Sequence, residues 1–158
     1  MPAILTAACL WLHSLATVIF IGHYVLLALV YLPALAKINL NPEGAAVFGE
    51  IAKRSRPWLY AALVIFFLTG YLLMLADPGY LGIGKFSNAW SILMLIKHLV
   101  IVGMIAAGFW FNAILKVGSM LAANPASAPM LSRQRTFVNG MAIAGVLVLL
   151  LTALAQIE

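Results

Sequence analysis

Four apolar runs, each long enough to cross a bilayer, leave this chain almost no other fold. They cover about residues 4–36, 57–76, 88–115 and 136–157 of a 158-residue sequence. A spanning helix needs about 20 mostly apolar residues, and a chain in lipid must satisfy its backbone hydrogen bonds internally. The expected fold is all-α, an integral membrane antiparallel four-helix bundle that forms one domain over residues 1–158. A mean hydropathy of +1.10 with 8% charged residues leaves no room for a soluble catalytic domain. The first run exceeds what a bilayer requires, so it should tilt or protrude, with Pro33 near its far end. Pro57 suits the first turn of the second helix, and Asp77-Pro78-Gly79 suits its stop. Ahead of it, Asn41-Pro42-Glu43 predicts the start of a short interfacial helix.

The tryptophans read as interface markers. Trp11 and Tyr31 bracket twenty residues of the first run, and Trp90 and Trp110 bracket twenty of the third. Each gap spans about 30 Å of helix, one hydrocarbon core. Trp58 marks the start of the second run. The positive charges then orient the chain. Lys37, Lys53, Arg54, Arg56, Lys116, Arg133 and Arg135 lie between spans one and two or three and four, whereas only Lys85 lies between spans two and three. Cytoplasmic loops carry the excess of Lys and Arg, so both termini are expected outside, in the inner membrane of a bacterium. The formal charge of +5 clusters at the ends of apolar runs and forms no separate basic patch, so nucleic acid is not an expected partner. The N-terminus lacks a basic n-region and a cleavage site, so the first run reads as a retained span.

Ionisable side chains inside lipid are expensive and mark functional sites. Four lie within these runs: His13, His23, Lys97 and His98. The four carboxylates, Glu43, Glu50, Asp77 and Glu158, all lie outside the cores of the runs, which excludes a carboxylate proton relay. Nor is there an HExxH motif, a nucleophile elbow or a phosphate-binding glycine loop. Histidines without carboxylates point to a metal or metal cofactor. At 100° per residue Cys9, His13, Ala16, Phe20, His23 and Leu27 share one stripe of the first helix. Met94, His98, Ile105, Gly108 and Asn112 share a stripe of the third, with Lys97 one residue off it. The two stripes are expected to face each other across the bundle. Measured from Trp11 and Trp90, His13 lies about 3 Å deep, His98 about 12 Å and His23 about 18 Å.

Two chemistries fit. One is a b-type haem held by His98 with His13 or His23 opposite, Lys97 pairing a propionate, and Gly22 and Gly108 admitting the macrocycle. His13 and His23 are about 15 Å apart along one helix, so a bis-histidine site within one chain must use His98. The other is a soft Cu(I) site, for which Cys9 with His13 and Met94 with His98 supply suitable donors at i,i+4 spacing. The structural alternative is that the histidines and Asn112 only bond between helices and that Lys97 snorkels outwards. Cys9 is the single cysteine, so an intramolecular disulfide is excluded.

Trp11-Leu12-His13 followed by Phe20-Ile21-Gly22-His23 resembles the opening of CopD-type copper-resistance membrane proteins. Arg54-Ser55-Arg56-Pro57-Trp58-Leu59, then Leu68-Thr69-Gly70-Tyr71, is similar to that family's next span, and Trp90 to Lys97 with Asn112 to its lysine-bearing span. The resemblance implies copper uptake or tolerance. Here His23 stands where the family has a second glycine, and His98 follows the family lysine. His13, Tyr31-Leu32-Pro33 and Lys97 also resemble the haem-associated membrane protoporphyrinogen oxidase family, although Ala34 stands where that family has an arginine. The added imidazoles favour a small haem b protein passing electrons between haem and a quinone, a periplasmic redox partner or an oxidant, a membrane oxidoreductase. A CopD-like Cu(I) protein is the alternative. A third reading is a cofactor-free subunit of a homo-oligomer or larger membrane complex.

The charge asymmetry generates the first prediction. A reporter fused after Glu158 should be active on the outer side, and a cysteine placed between Ala122 and Ser127 should be labelled only from the cytoplasm. The reverse labelling would overturn the orientation.

Overall fold

The computed structural model describes residues 2–37, 42–82, 84–115 and 128–157. Every regular element among them is helical: α1 (Ala3–Leu26), a π-helical turn (Leu27–Tyr31), α2 (Leu32–Lys37), α3 (Pro42–Ala76), α4 (Ala89–Leu115) and α5 (Ala128–Ala155). Four stretches among the described residues are long and apolar enough to cross a membrane: Ala3–Ala34, Lys53–Ala76, Ala89–Trp110 and Arg135–Ala155. The chain forms the all-helical four-span bundle expected of it. Both termini and the turn after α3 share one end, called here the terminal end. The other is the basic end.

The first span runs through its π turn without a break, the Leu32 N–H reaching the Leu27 carbonyl five residues back. The wider turn directly precedes Pro33, which has no N–H to offer and whose ring crowds the carbonyl four residues earlier. The second span departs from expectation. It does not start at Pro57 behind a separate interfacial helix; α3 is one 35-residue helix with Pro57 inside it. Proline there removes only the bond to the Lys53 carbonyl, and Lys53 is exposed, where water replaces the lost donor. One turn earlier Arg54 pairs with Glu50 at 2.8 Å across i,i+4, holding the Glu50 carboxyl below its usual range through that hydrogen bond and charge. Asn41, the expected cap, lies outside the described residues.

Close packing joins α1 to α3, α1 to α5, and α4 to α5. The order round the bundle is therefore α3, α1, α5, α4, with the ring open between α4 and α3, whose backbones stand further apart. The core runs through the middle of this ring: Ile21 of α1, Ile101 and Met104 of α4, and Met141 and Val148 of α5. Phe66 of α3 packs against them.

One sequence expectation about aromatic residues is corrected and one about small residues is refined. Trp11, Trp58 and Trp110 are exposed as interface residues are, but Trp90 is only 6% exposed. It lies under the turn after α3, where a Cβ on Gly79 would come within 2.9 Å of its ring, and Tyr80 meets it edge-on at 6.5 Å. The turn is tied down from both sides. Asp77 accepts the Gly79 N–H at 2.8 Å, while Asn88 donates to the Gly79 carbonyl at 2.9 Å and accepts the Ser91 N–H at 2.9 Å, capping α4. In the fourth span Gly140 and Ala144 have a small-xxx-small spacing suited to close helix contact; Ala144 packs against the core, but the closest approach is at Gly145. Gly140 has nothing within 4 Å of a would-be Cβ, whereas at Gly145 that atom would lie 2.8 Å from Ile21 Cγ2.

A β-branched isoleucine has little rotamer freedom to retreat. Gly145→Ala should therefore destabilise the bundle by about 1–3 kcal/mol, the usual cost of overpacking, read as a lower unfolding midpoint in detergent. Gly103→Ala, at a position with nothing within 4 Å, should be close to neutral. Equal effects would show that α1 and α5 do not meet at Gly145.

Candidate functional site

The best-defined polar contact inside the bundle joins the first two spans. His13 Nδ1 lies 2.9 Å from Thr69 Oγ1, and the ring stacks on Phe66 with centroids 4.3 Å apart and planes 27° apart. Gly70 makes room for it, since a Cβ there would sit 3.1 Å from His13 Cε1. The same Thr69 hydroxyl donates to the Ile65 carbonyl at 2.6 Å. A hydroxyl has one hydrogen, so with that donated, His13 must supply its own: Nδ1–H donates to Thr69. The Phe66 carbonyl is a second acceptor within reach of the ring. Nε2 of a neutral His13 then carries the free lone pair.

His98 reaches the same state by another route. Its Nδ1 is 2.6 Å from the carbonyl of Met94, one turn back on α4. A carbonyl can only accept, so this nitrogen is also the protonated one and Nε2 is again free. An imidazole held through Nδ1–H by an oxygen, with Nε2 open, is the arrangement that metal-bound histidines adopt.

The structure differs from the expected face of α4. Lys97, placed one residue off the inward stripe, is 8% exposed and lies on the buried side with Trp90, Ile101 and Met104. His98 is on the exposed side. The helix is apolar nearly all round, so its sequence pattern gave too little contrast to fix the facing to within one residue. No ion pair to Lys97 within 4.0 Å occurs among the described residues.

The remaining candidates are spread out. His23 is half-buried, and its ring meets Tyr24 edge-on at 5.4 Å. Cys9 is buried and free, and Met94 is half-buried. Among the described residues no three His, Cys, Asp or Glu side chains converge to hold a metal ion, so Cys9, His13 and His98 do not form one donor set. That bears on ions held wholly by protein, not on an iron that takes only two ligands from the chain. Gly22 has nothing within 4 Å of a would-be Cβ; at Gly108 that position lies 3.8 Å from the Tyr24 hydroxyl. Asn112 falls within α4, but its side chain lies outside the described residues.

Sequence reasoning missed Thr69 and Gly70 as partners of His13. Their signal was present in Leu68-Thr69-Gly70: a hydroxyl beside a glycine within an apolar span, one able to bond a neighbouring helix and the other to admit its side chain. Asp77, read only as a stop signal, also ties down the turn by accepting the Gly79 N–H.

Comparison of the chain with family models, curated proteins and solved structures gives no match.

The His13–Thr69 bond predicts a measurable coupling. In a double-mutant cycle of His13→Ala and Thr69→Val, the combined loss should fall short of the sum of the single losses by about 0.5–1.5 kcal/mol, the range of interhelical hydrogen bonds in membranes. Strict additivity would mean that the two side chains do not bond.

Proposed function

We propose that the protein is a small haem b membrane protein, in which His13 and His98 hold the iron and Lys97 pairs with a propionate. The observation that carries this reading is the shared state of the two imidazoles: they lie on different helices, each with Nδ1–H satisfied by an oxygen and with no hydrogen bond at Nε2 among the described residues. Bound haem would supply one-electron redox chemistry. The chain's own contribution is to fix tautomer and orientation. Thr69 and Phe66 hold the His13 ring, and the Met94 carbonyl holds that of His98. Lys97 supports the choice of an anionic cofactor, because a buried ammonium without an ion pair is stabilised by an anion beside it. His23, away from this pair, is left out of the site. The seven-to-one distribution of basic residues supports an orientation with the basic end in the cytoplasm of a bacterial inner membrane and His13, Lys97 and His98 towards the outer face. There it would exchange electrons with a quinone, a periplasmic partner or an oxidant.

The test is the absorption spectrum of protein made with ample haem. A Soret band with sharp reduced α and β bands is expected. His13→Ala and His98→Ala should each abolish the low-spin spectrum, while His23→Ala should leave it intact. Lys97→Ala should retain haem at a lower reduction potential, because the lost cation no longer favours the added electron. Bound copper without a Soret band, or an unchanged spectrum in His98→Ala, would reject the proposal.

A further inference from the structure

At the basic end, the open side of the helix ring becomes a shallow cleft whose enclosed part measures about 70 Å³. Phe20 and Tyr24 of α1 line it, together with Leu63 of α3 and Met104 of α4; Arg56 and Tyr60 stand at its outer end. Seven residues, about 10 Å of helix, separate Arg56 from Leu63. The histidines and Lys97 are not among its walls, so nothing about it depends on the haem reading.

We infer that this cleft is a binding site for an anionic phospholipid, with the phosphate on Arg56 and an acyl chain against Phe20, Leu63 and Met104. The cleft lies on the side of the ring where α3 and α4 stand apart, with α1 behind it, so an occupant has a route in from the bilayer. Its walls are apolar apart from Arg56 and the phenol hydroxyls, which suits an amphiphile with one charged end. Arg56 is exposed, and among the described residues the only ion pair is Arg54 with Glu50 at 2.8 Å. A guanidinium without a carboxylate partner matches a phosphate with two parallel hydrogen bonds. Lys53, exposed one turn earlier, adds a second positive charge. The level is right as well. Arg56 is two residues from Trp58, which is 66% exposed in the manner of an indole at the headgroup boundary. Basic pockets between spans on the cytoplasmic side are where anionic headgroups bind. A quinone, the other molecule that could enter this way, has a neutral head and gives the guanidinium nothing to neutralise.

The test is native mass spectrometry of the purified protein equilibrated with equal amounts of phosphatidylglycerol and phosphatidylcholine. The wild-type protein should retain phosphatidylglycerol about tenfold in preference, the order expected of one charge-assisted pair. Arg56→Gln should lose that preference and Arg56→Lys keep part of it. Arg54→Gln, two residues away on a different face of α3 and with its charge engaged by Glu50, should leave it unchanged. Met104→Trp, filling the deep end, should lower retention of both lipids. Four results would overturn the assignment: no lipid retained by the wild type, preference surviving in Arg56→Gln, preference lost equally in Arg54→Gln, or a short-chain quinone displacing the lipid equally well from wild type and Arg56→Gln.

Discussion

Lipid offers no hydrogen-bond partners, so a polar ring in a membrane bundle has to find its partner within the protein. In this protein that requirement falls on His13, and Thr69 meets it. The bond fixes how far α1 slides along α3. Moving either helix by one residue would separate the ring from the hydroxyl, from Phe66 beneath it and from the space left by Gly70. α1 then serves as the hub. α5 packs on its other side where Ile21 presses against Gly145, and α4 is held mainly through α5. An incomplete ring follows from this arrangement, and so does the lateral cleft between α3 and α4.

The terminal end is organised by the same need. Burying Lys97 is costly in proportion to the water it loses. The turn after α3 covers this end of α4, where Trp90, on the same buried side as Lys97, packs beneath Gly79. The turn is kept there by Asp77 accepting the Gly79 N–H and by Asn88 bridging the turn to α4. The connection between the second and third spans thus packs against the end of α4 that carries Lys97, and the apolar cleft lies towards the opposite end of the bundle.

Much of the fold was legible in the sequence because hydropathy and length speak directly to a bilayer. The four spans and the polar groups inside them were evident from it. Facing was harder to read. A helix surrounded by lipid is apolar on both its packed and its outer sides, so the pattern that separates core from surface in water is nearly absent. That is why Lys97 and His98 exchanged places by one residue, and why Gly140 drew attention that belonged to Gly145. Trp90 was misread for a related reason: an indole at the end of a span looks the same in sequence whether it meets headgroups or a folded turn. The extension of α3 back to Pro42 was hidden by Pro57, which normally marks a helix start but does little harm inside a helix at the membrane edge.

The claim on which the site rests is that His13 is locked by Thr69 through Nδ1–H with Nε2 left open. Nitrogen-15 NMR of the histidine rings, in protein prepared without added cofactor at neutral pH, reads this directly. The expected spectrum for His13 has a protonated Nδ1 and an unprotonated Nε2, and Thr69→Val should change that signal while leaving His98 as it was. A His13 protonated at Nε2, or one indifferent to the loss of the Thr69 hydroxyl, would contradict it.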